Sequence, residues 1–186
     1  MADRDQPLLA VLIDADNIDA RLAAEILKEA NALGVRGLRR VYGDWSDSNL
    51  SRWSKQAREL GLVMRQATAN TKGKNATDIE LVIDAMDILH SGRFDGFVLV
   101  SSDSDFTALA NRIREQGLDV IGIGAAKTPE SLRNVCNRFI FLENIAEQMG
   151  VALENARLYE STQMRAERER LVSDITAQVR YAKNET

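Results

Sequence analysis

The sequence predicts an α/β domain on a mainly parallel sheet, followed by a helical extension. Short apolar runs of strand length alternate with longer stretches of helical period, the pattern of a sheet covered by helices. Glycines punctuate the predicted helix ends at Gly34, Gly61 and Gly92. Residues 151–186 then contain no glycine and no proline, and carry six acidic and six basic side chains. The chain therefore divides into a domain of residues 1–143 and a helical extension of residues 144–186.

The first strand is Leu8 to Ile13, and a helix with Leu22, Ile26, Ala30 and Leu33 on one face follows from about Ile18 to Leu33. Gly37 to Tyr42 reads as the second strand, Asn49 to Leu60 as the second helix, and Leu62 to Arg65 as a short third strand. Gln66 to Asn75 is polar and aperiodic, which predicts an exposed loop. The third helix, Thr77 to His90, places Ile79, Val82, Ile83, Met86 and Leu89 toward the core. Phe97 to Val100 is wholly apolar and predicts the centre of the sheet, where both faces are covered. Phe106 to Gln116 is helical and Val120 to Ile123 is a strand. Pro129 opens a short helix, and Phe139 to Leu142 is the last strand. Beyond it, Leu153, Ala156, Met164, Leu171, Ile175 and Val179 give a broken apolar stripe on one helix or two. Pairing with another copy and a solvated helix both remain open there.

Composition excludes several classes of function. The 186 residues include 24 Lys and Arg against 28 Asp and Glu, a net charge of -4. There is no global attraction to nucleic acid or anionic membranes, so such a partner needs a local basic rim. One cysteine and one histidine rule out an intrachain disulfide and a Cys/His zinc site. The charged start and the lack of any apolar run near ~20 residues predict a cytoplasmic protein with no membrane partner.

The carboxylates point to chemistry. Asp14, Asp16 and Asn17 directly follow the first strand, and Ser101-Ser102-Asp103-Ser104-Asp105 follows the strand Phe97 to Val100. In a parallel sheet the carboxyl ends of the strands open into one crevice, so the two clusters are expected as neighbours. An Asp or Ser at a helix entry is also a good cap, but a cap uses one side chain and each place has two carboxylates. Asp78 falls in the first turn of the third helix, beside the crevice. Asp84 is separated from it by roughly 120° at ~100° per residue and sits among apolar neighbours, as a supporting or partly buried group. Glu80 and Asp87 read as solvated charges. Carboxylates gathered without lysine repel one another, and oxygen-only ligands favour Mg²⁺ or Mn²⁺. Such a site suits hydrolysis of a phosphodiester by metal-activated water. His90 and Cys136 read as structural, and no Walker-type phosphate loop is present.

Cations are local. Arg36, Arg39 and Arg40 flank the second strand, Arg52, Lys55 and Arg58 recur along the second helix, and Lys72 and Lys74 lie in the polar loop. Lys127 and Arg133 flank the penultimate strand and helix, and Trp45 and Trp53 are interleaved with the second-helix group. Cations with flat apolar surfaces suit a single strand of nucleic acid. The competing reading puts Trp53 in the core and the cations in solvent.

Six strings occur in order across residues 8–143: Leu12-Ile13-Asp14-Ala15-Asp16-Asn17, Tyr42-Gly43-Asp44-Trp45, Gly73-Lys74-Asn75-Ala76-Thr77-Asp78, Val82-Ile83-Asp84-Ala85-Met86-Asp87, Val100-Ser101-Ser102-Asp103-Ser104-Asp105-Phe106 and Lys127-Thr128-Pro129. Together they resemble the NYN family of PIN-like nuclease domains, in its bacterial LabA-like branch. The resemblance implies a three-layer α/β/α sandwich and Mg²⁺- or Mn²⁺-dependent endonucleolytic cleavage of single-stranded RNA. It places Asp14, Asp78, Asp103 and Asp105 at the acidic metal positions, and Asn17 beside the first of them, orienting phosphate or water. Ser102 and Thr107 would offer hydroxyls to the metal waters or the phosphate, and Asp16 and Asp84 would support the site. Trp45, Lys55, Arg58, Lys72, Lys74 and Lys127 are the residues expected to guide RNA. Many relatives continue into an OST-HTH RNA-binding domain, and this chain does not. Its Ala152–Glu160 and Arg168–Val172 strings resemble the helix that leaves GAF domains, which suggests a homodimer through the C-terminal helix. An RNA-binding module with a weak or partner-dependent site, and a phosphatase or a 5′-nuclease acting on DNA, are the competing readings.

Overall fold

Six strands order themselves as β3-β2-β1-β4-β5-β6, and every neighbouring pair is parallel. The computed structural model describes residues 6–67 and 76–183, with the side chains of all of these except residues 36, 166 and 168–183. The strands are β1 (Leu8–Asp14), β2 (Val35–Gly43), β3 (Val63–Gln66), β4 (Gly96–Val100), β5 (Asp119–Gly124) and β6 (Arg138–Phe141). The helices are α1 (Ala23–Leu33), α2 (Ser51–Leu60), α3 (Ala76–His90), α4 (Thr107–Glu115), α5 (Glu130–Val135) and α6 (Leu142–Lys183). The expected elements form within a few residues of their predicted limits, and the extension is one helix rather than two. The chain separates into two compact units, Met1–Ala146 and Glu147–Thr186.

Strand alternation decides the layers, because successive side chains leave the sheet on opposite faces. Val11, Ile13, Val41, Val98, Val100 and Ile123 pack on one face with Ile26 of α1, Trp53 of α2 and Ile145 of α6. Ala10, Leu12, Tyr42, Phe97 and Leu99 pack on the other with Leu81 and Ile88 of α3, Ile113 of α4 and Leu132 of α5. The result is the expected α/β/α sandwich. β4 is buried at every residue and pairs with β1 at the centre, as its unbroken apolar run predicts. Short 3-10 turns lead into three helices, each capped by an aspartate that accepts from the N–H two residues on: Asp19 from Arg21, Asp47 from Asn49, Asp103 from Asp105. α2 ends at Gly61, whose φ of 65° is the left-handed cap conformation glycine adopts without strain.

One helix is turned from its expected orientation. α3 buries Thr77, Leu81, Asp84, Ala85, Ile88 and, as expected, Leu89; of the other residues expected inward, Val82 and Met86 pack half-buried against the same core, whereas Ile79 is 59% and Ile83 55% exposed. Two apolar stripes run along this helix, at 81-85-88 and at 79-82-83-86, and their spacing alone does not rank them. Asp84 ranks them. Arg40 Nη1 donates to its Oδ1 and Tyr42 Oη donates to its Oδ2, so the buried carboxylate is paired and hydrogen-bonded only with this face inward. A buried charge without such partners would be strongly destabilising.

Candidate functional site

The topology creates the site. In the order 3-2-1-4-5-6 the chain reverses direction of growth between β1 and β4, and ligands in such sheets bind beyond the carboxyl ends of the strands at that point. Asp14 ends β1 and the Ser101–Asp105 segment follows β4, so the two acidic loops flank this switch. Asp14 continues the Ala10–Leu12 register and therefore points to the face covered by α3, the helix whose first turn carries Asp78.

Asp14 is fully buried. Its Oδ1 accepts from the Asp16 N–H at 3.1 Å, and its Oδ2 accepts from Asn17 Nδ2 at 2.6 Å and Ser101 Oγ at 2.8 Å. Burial pushes its pKa up against these hydrogen bonds, which pull it down. Ser101 Oγ also accepts from the Asp103 N–H at 3.1 Å, so one hydroxyl ties the end of β1 to the loop after β4. Ser101 is not among the site residues expected from sequence. Its signal was a polar residue at an inward position directly continuing an apolar strand.

Asp78, Asp103 and Asp105 converge: each offers a carboxylate oxygen, and the three atoms lie within 4.8 Å of one another. Asp78 is partly buried and its carboxyl is pushed up to about 6, first by burial and then by the charges of Asp14, Asp103, Asp105 and Asp16. Asp103 serves as a cap through its Oδ1, which accepts from the Asp105 N–H at 2.9 Å. Capping accounts for one of these carboxylates and not for the other two. An all-oxygen set whose charges raise the Asp78 carboxyl fits a hard divalent cation. Asp14, predicted as a fourth ligand, stands outside this set. Its oxygens already accept three hydrogen bonds, and it acts on Asp78 through its charge.

The other predicted residues divide. Asn17 and Asp16 are exposed, and both donate to Asp14. Ser102 Oγ accepts from the Ala125 N–H at 2.8 Å, joining the loops after β4 and β5. Gly124 makes that junction tight, since a Cβ there would stand 2.7 Å from the Ser101 carbonyl oxygen. Thr107 Oγ1 donates to the Ser104 carbonyl at 2.6 Å, so the expected hydroxyl is spent on the backbone. Asp84 is committed to Arg40 and Tyr42, with the Arg65 guanidinium at 3.8 Å.

Trp53 is core, 2% exposed, and donates to the Ile18 carbonyl at 2.8 Å. Trp45, just after the carboxyl end of β2, is half-buried, packs against the core on the α1/α2 face and donates to the Arg65 carbonyl at 2.9 Å. Lys127, in the loop after β5, is exposed at the same edge. Lys55 reaches Glu59 at 3.8 Å, and Arg58 donates to the Ser54 carbonyl in the last turn of α2, where the helix has returned toward the opposite edge. Lys72 and Lys74 lie outside the described residues. His90 bonds the Met86 carbonyl, and Cys136, its thiol pushed up to about 11 by burial, bonds the Leu132 carbonyl, so both are structural as expected.

The NYN domain family model matches residues 8–143. The chain belongs to the NYN domain family. NYN domains have the PIN-like nuclease fold, and the sheet order and acidic triad of this NYN domain agree with it. A crystal structure of a protein of unknown function from Vibrio parahaemolyticus is similar, with a TM-score of 0.64 at 18% identity, covering 78% of this chain and 98% of that one. At that identity the likeness concerns the fold alone. Among curated proteins none matches significantly. No helix among the described residues is long and apolar enough to cross a membrane.

Proposed function

We propose that this NYN domain is a Mg²⁺- or Mn²⁺-dependent endoribonuclease acting on single-stranded RNA. The observation that carries the reading is the convergence of Asp78, Asp103 and Asp105 at the switch point of the sheet. These three carboxylates would hold the cation, with Asp14 behind them adding negative charge without joining the ligand set. A divalent ion bound there supplies an activated water and neutralises charge on the phosphate in the transition state. Asn17 and Ser101 keep the Asp14 carboxylate fixed, and the Asp103 cap fixes the loop that carries Asp105. Trp45 and Lys127, both at this edge, are the residues to guide the strand. The extension is proposed to join two copies.

The decisive assay incubates single-stranded RNA and the same sequence as DNA with Mn²⁺ or Mg²⁺. RNA is expected to be cut, EDTA to stop the reaction, and Asp103→Asn to lower the rate at least a hundredfold, the scale of losing an electrostatic catalytic group, with the fold retained by circular dichroism. Cutting that survives Asp103→Asn rejects this site. RNA that binds in a salt-dependent way yet stays intact would make the domain a binding module, and preference for the DNA strand would move the substrate.

A further inference from the structure

α3 carries an apolar stripe that the core uses only in part: Val82 and Met86 pack half-buried against it, and Ile79 and Ile83 do not. Ile79, Val82, Ile83 and Met86 recur at i, i+3, i+4 and i+7, the spacing of a buried face, yet Ile79 and Ile83 are 59% and 55% exposed. Scattered exposed isoleucines are ordinary. These are not scattered: Ile79, Val82 and Ile83 line, together with Phe106, a pocket of about 280 Å³. Two further residues line it, Asp78 and Asp105, and both belong to the acidic triad.

From this shared lining, and resting on the nuclease reading above, we infer that the pocket seats the nucleobase adjoining the scissile phosphate. Its occupant must present an apolar surface to the isoleucines while carrying an anion to the cation site at the rim. A nucleotide joins those two features through one sugar. The volume lies at the small end for ligand pockets and suits one ring system rather than an extended chain. Bases of any identity have apolar faces, so Ile79 and Ile83 hold the strand in register with the triad and do not read its sequence.

The test compares wild type with Ile79→Ser and Ile83→Ser on an RNA strand and on the same strand with an abasic residue at the cleavage position. Loss of the contact should lower kcat/KM on intact RNA roughly tenfold, while the abasic strand should be cut equally slowly by all three proteins. Variants that cut intact RNA at the wild-type rate overturn the base pocket and leave the nuclease reading standing. A readout independent of cleavage separates the two ideas: binding of a strand containing 2-aminopurine, followed by fluorescence in Ca²⁺ buffer. A signal that needs Ile83 in a protein that cuts nothing supports the pocket and removes the nuclease; no signal from wild type removes the pocket. Ile83→Ser should keep Tm within about two degrees, as at an open surface. A larger fall, showing that the chain itself covers the stripe, overturns the inference, as does a fall in mass by light scattering, which would give the stripe to a second copy.

Discussion

Asp78 stands in a position that costs stability. Its carboxyl, ordinarily at 3.8, is raised to about 6 by burial and by four neighbouring aspartates. The folded chain therefore holds this proton more tightly than the unfolded chain. As pH rises from about 4 to 6 the unfolded state has already released it, so this group's contribution to stability falls, and above 6 the penalty is complete. A dry carboxyl so displaced would cost roughly 3 kcal/mol, and solvent screening of a partly buried one reduces this to about 1 kcal/mol. Asp78→Asn should accordingly raise stability by about 1 kcal/mol at pH 7.5 in EDTA, and the gain should vanish below pH 4, as read by urea melts. Saturating Mn²⁺ should reverse the order, since a ligand that binds only the folded state stabilises it and the amide weakens that site. A variant less stable than wild type in EDTA at pH 7.5 would contradict the repulsion. The carboxylates themselves were legible in the sequence, because strand ends and a first helical turn mark positions at a sheet edge. What spacing could not show is the division of labour. Asp14 is withdrawn under three hydrogen bonds while Asp105 comes forward, and that depends on Ser101 reaching across 87 positions of chain.

At the scale of elements, α3 shows why some of the fold was legible and some was not. Its existence and limits follow from a long periodic segment, and its layer from the βαβ order. Its rotation depends on Arg40 and Tyr42, which lie 44 and 42 positions upstream on β2 and meet Asp84 only after the sheet has formed. Two stripes of similar strength run along the helix, and the polar partner across the gap decides between them. The same contact predicts a stability pattern. Arg40→Met removes the nearer cation from the buried Asp84, leaving it the Tyr42 hydroxyl and the more distant Arg65 guanidinium at 3.8 Å, and should destabilise the domain by about 3 kcal/mol. Tyr42→Phe should cost about 1–2 kcal/mol, since it removes one hydrogen bond to a charged group. Adding Asp84→Leu to Arg40→Met should recover most of the loss, because removing both partners is far less damaging than orphaning one. Additive losses in denaturant titrations would show that the pair does not set the rotation of α3.

For the whole molecule, the two units pose different physical problems. The sandwich of Met1–Ala146 has cores on both faces of its sheet and accounts for its own stability. In Glu147–Thr186, every described side chain from Glu147 to Arg165 is exposed, among them Val151, Leu153, Leu158, Tyr159 and Met164 at 56–70%. A helix in water gains little from propensity and is marginal without an apolar face packed on a partner. Balanced charge over residues 151–186, six acidic against six basic, removes the net repulsion that would oppose pairing two identical copies. The proposal that a second copy is the partner makes linked predictions. The full chain should scatter light as a dimer, and its helical circular dichroism should fall on dilution as dimers separate. Leu158→Glu should yield monomers at the same concentration, because a charge in an apolar seam loses its water without gaining a counter-ion. Melting of the sandwich should be unchanged in that variant, since Leu158 is an exposed side chain of the other unit. A full chain that stays monomeric at every concentration while α6 remains helical would show that the extension stands without a copy of itself.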